Sequence, residues 1–293
     1  SGTTGNPKGV PLPHQNIITN IMDVQDIVPL SSADSVLSFL PLSHAFERTV
    51  GFYCIMSVGA EIYYAESMDT VARDLMVARP TILISVPRLF EKIYDRVMTQ
   101  ATGLKRIILK CALWIGATCS KAHPLWKLAN MMVFKKIHQR TGGSIRFMVS
   151  GGAPLPAHVE LFFKSVGLTI IQGYGLTETA PIISVNRLTS IKMGSVGTAL
   201  PSVSVKLGDD KELLVKGNNV FSGYYNISDS QQLFDSDGYF HTGDIADIDD
   251  EGFIYITDRK KEMIVLSNGK NISPNRVEGC VLNSKYINQV VVI

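Results

Sequence analysis

The segment IRFMVSGGAPLPAHVELFFKSVGLTIIQGYGLTET, residues 145–179, decides the fold. It holds two short β-rich runs, IRFMVS (145–150) and TIIQGYG (169–175), with helical spacing across 156–166 between them. Strand, helix and strand in that order read as a unit of a parallel sheet. Both strands end in glycine-bearing loops, SGGAPL (150–155) and QGYGLTET (172–179). Ligands of open α/β sheets sit beyond the carboxyl ends of strands, where both loops fall. The glycines of SGGAPL let backbone approach a flat ring or a phosphate. In the second loop, Tyr174 can stack on a base, while Thr177 and Glu178 offer hard oxygens of the kind Mg²⁺ takes. Read singly, each loop is also a plain strand-to-helix turn, with Glu178 a first-turn acid favoured by the helix dipole.

The alternation continues upstream. SVLSFLPL (35–42), AEIYYA (60–65) and TILISV (81–86) read as buried strands, and 68–78 carries helical spacing. The stretch 88–139 reads as several helices broken near Gly103, Gly116 and Pro124. The predicted class is α/β, a mostly parallel sheet covered on both faces. After Gly194 the texture changes. VSVKL, ELLVKG, YFHTGDIADID and GFIYITDR are short alternating segments parted by Gly, Asp and Asn, which predicts antiparallel strands or a small barrel. From Arg259 another α/β pattern begins.

Composition bounds the reading. Apolar content of 45% and charged content of 18% exclude a disordered chain. No apolar run approaches the roughly 20 residues that span a bilayer. Cys54, Cys111, Cys119 and Cys280 show no CxxC spacing, so reduced thiols in a cytosolic protein are expected. The net charge of +2 hides an asymmetry: 88–146 holds twelve Lys and Arg against two acids, Glu91 and Asp95, together with both tryptophans. Such a block suits an anionic membrane surface, and it equally suits the solvated faces of packed helices. No nucleic-acid module accompanies the charge, so no nucleic-acid partner is expected.

The chain opens on SGTTGNPKGV (1–10), with three glycines, three hydroxyls and Lys8. Successive N–H groups in such a loop form a concave anion site, and the lysine adds a point charge for phosphate. A polar turn has the same composition. The spacing is not the P-loop pattern, so a phosphate site here belongs to another architecture. Further on, HTGDIA holds Asp244 in a Gly-adjacent turn, and DRKKEMIVLSNGKNISP follows from Asp258. A carboxylate accepts from both ribose hydroxyls; alternatively Asp244 is a turn aspartate and the basic run a solvated linker.

These five segments, in this order, resemble the adenylate-forming (AMP-binding) superfamily of acyl-CoA synthetases, luciferases and adenylation domains. LSFLPLSHAFERTVGFY (37–53) and the basic helical insert look most like long-chain fatty acyl-CoA synthetases. The resemblance implies a large adenylation domain whose α/β part is 1–193, with the insert at 88–146. It further implies a β-rich subdomain at 194–257, then a hinge and the start of a small C-terminal domain at 258–293.

As substrates and cofactors it implies ATP, Mg²⁺, a long-chain fatty acid and coenzyme A. Ser1, Gly2, Thr3, Thr4, Gly5 and Lys8 would hold the phosphates. Gly152, Ala153, Pro154, Gly173, Tyr174 and Gly175 would surround the adenine. Thr177 and Glu178 would hold Mg²⁺ and phosphate oxygens, with Thr4 a second metal contact. Asp244 and Arg259 would grip the ribose, and Asp258 would be the hinge. Gly269 would face coenzyme A, and His44 the acyl carboxylate. Lys8, His44, Thr177 and Glu178 are the expected catalytic set.

The family's adenylation lysine and the first third of its large domain would lie outside these 293 residues. Alone, they are therefore expected to bind nucleotide weakly and adenylate slowly or not at all. Transfer to a carrier protein is the alternative within the superfamily. A nucleotide- or lipid-binding module without chemistry is the alternative outside it, and the full residue set argues against that one. Location is expected in the cytoplasm, with peripheral membrane contact open, as is the choice between monomer and dimer.

Overall fold

In the computed structural model the described residues are 8–227, 230–262, 264–265, 271–272 and scattered positions from 274 to 292. Helix α1 (His14–Ile27) leads into strand β1 (Ser35–Ser38). A π-helical turn, Glu47–Tyr53, runs on into α2 (Cys54–Ser57) and then β2 (Glu61–Tyr64). Helix α3 (Val71–Ala78), strand β3 (Ile82–Ser85) and helix α4 (Pro87–Gln100) follow. Next come α5 (Gly103–Thr118), α6 (Pro124–Ala129), a second π-turn (Asn130–Phe134) and α7 (Lys135–Arg140). The deciding segment supplies β4 (Phe147–Ser150), α8 (Ala157–Val166) and β5 (Ile170–Tyr174), as its pattern predicts.

Strands β1 to β5 are parallel, in the order β2–β1–β3–β4–β5. Alternate side chains enter opposite layers because successive residues of a strand face opposite ways. Ile82, Ile84, Phe147, Val149 and Ile171 pack toward α1 and the first π-turn. Leu83, Met148 and Ile170 pack toward α8 and its neighbours, where Phe90 meets Phe163 edge-to-face at 5.6 Å. β1, β3, β4 and β5 are mostly apolar because both faces are covered, whereas β2, the last strand on its side of the described sheet, leaves Glu61, Tyr63 and Tyr64 exposed. Strands β6 (Ser184–Val185) and β7 (Thr198–Ala199) extend this sheet antiparallel.

The β-rich segment forms a second, antiparallel sheet. It consists of β8 (Val203–Leu207), β9 (Glu212–Gly217), β10 (Phe240–Ile248) and β11 (Ile254–Arg259), in the order β11–β10–β9–β8. Two backbone bonds tie it to the first sheet: Val196 donates to Ile254 and Ile254 to Gly197, both at 2.9 Å. Beyond it, β12 (Ile264–Val265) and β13 (Asn271–Ile272) pair antiparallel.

Three local expectations need correction. AEIYYA forms a strand but not a buried one, because β2 pairs on one side only, with β1, and leaves Glu61, Tyr63 and Tyr64 exposed. The first strand ends at Ser38, not Leu42. Pro41 has no N–H for the ladder, and its carbonyl instead accepts from His44 in a turn. Gly116 does not break the helical stretch but lies inside α5. A Cβ there would stand 2.1 Å from the Ser165 carbonyl oxygen, so this glycine lets α5 press against α8. Pro124 does open a helix, with His123 Nδ1 accepting from the Leu125 N–H at 3.2 Å. Among the described residues no helix is long and apolar enough to cross a membrane.

Candidate functional site

The carboxyl ends of β4 and β5 and the first π-turn enclose an apolar cavity. His44, Gly152, Gly173, Tyr174, Gly175 and Thr177, each singled out from the sequence, line it. Its floor is made by Val24, Ile55, Ile84, Phe147, Val149 and Ile171, from α1, α2 and the sheet. Cys54 also faces it, and burial pushes that thiol up to about 12, so it is an apolar wall and not a thiolate. Gly152, Ala153 and Pro154 form an exposed rim after β4.

The loop after β5 is held from three sides. The Asn20 side chain of α1 pairs with the backbone of Ile182, accepting at 2.7 Å and donating at 3.2 Å. Asn219 donates to the carbonyls of Thr179 and Ile182 at 3.1 and 2.8 Å. Tyr174 O accepts from Ile183 N at 2.9 Å. Gly175 is needed at the crossing, because a Cβ there would lie 1.7 Å from the Pro181 carbonyl oxygen.

So fixed, the loop aims its two functional side chains at different partners. Tyr174 Oη donates to Asp244 Oδ2 at 2.5 Å, and Arg259 Nε donates to Asp244 Oδ1 at 3.1 Å. Burial, then the Asp244 carboxylate, hold the Tyr174 hydroxyl well above its ordinary value of 10, so it stays a neutral donor. At the other end, Glu178 Oε1 accepts from Tyr224 Oη at 2.9 Å. Lys8 Nζ stands 4.8 Å from the centre of the same Tyr224 ring, a cation–π distance. Tyr224 therefore bridges the opening lysine to the loop acid. Burial, followed by Glu178, also raises the Tyr224 hydroxyl.

Asp244 lies within β10, not in a free turn, at a break in the pairing with β9 between His241 and Ile245. Glu212 braces that break. Its carboxylate accepts from Gly243 N at 2.9 Å and from Lys260 Nζ at 2.9 Å, and meets His241 Nδ1 at 3.1 Å. Burial alone pushes Glu212 up, but Lys260, His241 and the Gly243 N–H outweigh it and hold the carboxyl below 4.5. Asp258 is buried on β11 and accepts from Arg259 N at 2.8 Å. Ser1, Gly2, Thr3, Thr4, Gly5 and Gly269 lie outside the described residues.

Three residues escaped the sequence reading. Tyr224 sits in FSGYYN, where nothing in the pattern marks one tyrosine over its neighbour. Glu212 opens β9 and is buried there, which nothing in ELLVKG records. Glu47, three residues after the marked His44, opens the first π-turn, is buried, and accepts from Ser38 Oγ at 2.5 Å. Burial raises its carboxyl.

A sequence profile described as AMP-binding enzyme matches residues 1–225. The chain belongs to the AMP-binding enzyme family. The long-chain-fatty-acid–CoA ligase FadD15 of Mycobacterium bovis is 35% identical over 309 residues, covering 100% of this chain and 51% of the relative. The chloroplastic long-chain-fatty-acid–[acyl-carrier-protein] ligase AEE15 of Arabidopsis thaliana is 31% identical over 353 residues, covering 100% and 48%. Among solved structures, ATP-bound MatB from Rhodopseudomonas palustris matches with a TM-score of 0.73 at 26% identity, over 95% of this chain and 50% of that one. The chain thus spans about half the length of the relatives it matches. The expected fold class, a mostly parallel sheet joined to a small antiparallel one, is the observed one.

Proposed function

We propose that this AMP-binding chain is the nucleotide- and acyl-binding part of a long-chain fatty acid–CoA ligase. One observation carries the reading. The loop after β5 holds Tyr174 on Asp244 and Glu178 on the Tyr224–Lys8 pair, and its glycines border an apolar cavity. An apolar cavity bordered by a loop that holds charged side chains beside it suits a ligand with an acyl tail and an anionic head.

A fatty carboxylate oxygen attacks the α-phosphorus of ATP, forming the acyl-phosphate bond as the bond to pyrophosphate breaks. The thiol of coenzyme A then adds to the acyl carbonyl, loses its proton, and expels AMP. The site's task is to hold two anions in contact and offset their repulsion. Lys8 meets the phosphate chain, with Ser1, Gly2, Thr3, Thr4 and Gly5 ahead of it. Gly152, Ala153 and Pro154 border the adenine, and Tyr174 packs on it. Asp244 and Arg259 take the ribose, and His44 faces the acyl carboxylate. Asp258 serves as the hinge and Gly269 faces coenzyme A.

Among the described residues no cluster of three or more metal-ligating side chains occurs. A single carboxylate, Glu178, with Thr177 beside it, nevertheless fits Mg²⁺, which keeps waters and takes phosphate oxygens for most of its ligands. Bound there, the ion neutralises phosphate charge.

The test is pyrophosphate release and acyl-CoA formation by the full-length protein with palmitate, ATP and coenzyme A. Robust turnover that Asp244→Asn and Glu178→Gln abolish is expected. Wild-type protein that binds ATP yet releases no pyrophosphate would sink the reading. The Arabidopsis relative named for a carrier-protein acceptor favours one second reading. Adenylate that accumulates until a carrier protein is added, with no acyl-CoA formed, would select it.

A further inference from the structure

The helices of the basic block bury one apolar face and leave another in solvent. α5 seats Leu109 and Ala112 in the core, and Gly116 brings it against α8. On the opposite side of the same helix, at spacings of three and four, stand Leu104, Ile107, Cys111 and Trp114, all exposed. Trp114 is 68% exposed, although large aromatics are among the side chains most stabilised by burial. The neighbouring α6 and second π-turn repeat the arrangement. Trp126, Ala129 and Phe134 are buried, while Leu125, Leu128 and Met131 are exposed.

A surface helix normally carries one apolar stripe. A second, contiguous one marks an interaction surface. Charge identifies the partner. No Asp or Glu occurs between Asp95 and Glu160. Lys105, Arg106, Lys110, Lys127, Lys135 and Lys136 are interleaved with the exposed apolar residues. Among the described residues none of these six enters an ion pair. A nucleic acid would reward the cations but give the leucines and Trp114 nothing. A lipid surface of negative charge satisfies both, because acyl chains take the apolar side chains while headgroup phosphates take the lysines.

We propose that α5 and α6 dock this protein on an anionic bilayer surface, with Trp114 and Ile107 entering the headgroup boundary. The proposal is independent of the ligase reading, since vesicle binding and turnover are measured separately.

The chain has two tryptophans and Trp126 is buried, so Trp114 reports the contact. Purified protein is mixed with vesicles of phosphatidylcholine containing phosphatidylglycerol, and with phosphatidylcholine alone. Co-sedimentation with the anionic vesicles, a blue shift of tryptophan emission, and loss of binding as salt rises are expected. The double variant Ile107→Ser, Trp114→Ala, checked for folding by its melting temperature, should bind about tenfold more weakly. Lys105→Glu with Lys110→Glu should remove the preference for anionic vesicles while leaving the Trp114 face intact. Three outcomes would each overturn the proposal. They are binding equal to wild type in both variants, equal binding to neutral vesicles at high salt, and an apolar variant that turns a self-associating protein monomeric without changing vesicle binding.

Discussion

Replacing Gly175 by alanine tests whether the loop after β5 is fixed as tightly as its contacts require. The added Cβ would stand 1.7 Å from the Pro181 oxygen, 2.8 Å from its carbon and 3.0 Å from Ile182 Cα. Ordinary contact begins at 3.4 Å, so the two strands of backbone must part by about 1.7 Å. Both neighbours are backbone, and neither can rotate away. Parting them breaks the bond from Ile183 N to Tyr174 O, at about 1 kcal/mol. Overpacking adds about 1–3 kcal/mol, for a total near 2–4 kcal/mol. In a chain of 293 residues that lowers the melting temperature by roughly 3–7 °C. Because Tyr174 and Thr177 flank the glycine, displacement of about an ångström should also cut pyrophosphate release on the order of 100-fold. Gly152→Ala is the control. Its Cβ would meet only Val86 Cγ1 at 3.7 Å, so the cost is the left-handed backbone at φ +81, about 1–2 kcal/mol. A Gly175→Ala protein that melts and turns over like wild type would refute the loop geometry and the site built on it.

Other outcomes follow from the same contacts. Tyr224→Phe keeps the ring under Lys8 but removes the donor to Glu178, which predicts kcat/KM for adenylation roughly 10- to 100-fold lower, with Tyr224→Ala lower still. Unchanged pyrophosphate release by Tyr224→Phe would show that Glu178 needs no such orientation. Glu212 has its carboxyl held below 4.5 in the folded protein, so its contribution to stability is present above that value and disappears as pH falls through the lowered one. Melting curves between pH 6 and pH 3 (roughly the carboxylate range) should therefore slope less in Glu212→Gln, and identical slopes would count against the brace. Gly116→Ala should destabilise by about 1–2 kcal/mol, because the clash with Ser165 outweighs the better helix propensity of alanine. A rise in melting temperature would mean α5 does not press on α8.

The parallel sheet was legible because its strands are covered on both faces, which leaves continuous apolar runs such as TILISV and IRFMVS that few other structures need. The glycine loops after IRFMVS and within TIIQGYGLTET were legible too, since close approach of backbone demands glycine, as it does at Gly175 beside Pro181. Gly116 misled for the same reason. A glycine that breaks a helix and a glycine that lets two helices touch look alike in one dimension, and only Ser165, 49 residues on, tells them apart. Asp244 was legible as part of the strand YFHTGDIADID, but not the break in that strand's pairing, which Glu212 of another strand braces. Tyr224 was invisible. Its role rests on meeting Lys8 and Glu178 across distances of 216 and 46 residues, and no local pattern records that.

Asp244 and Arg259 are opposite one another on β10 and β11, and Asp258 is the next rung's occupant. The Asp244 carboxylate is thus clamped to the last residues of the sheet before the chain departs. Whatever turns the outgoing polypeptide must tug on that clamp, and whatever fills the cleft must stiffen it. Occupancy and exit direction share a single mechanical joint.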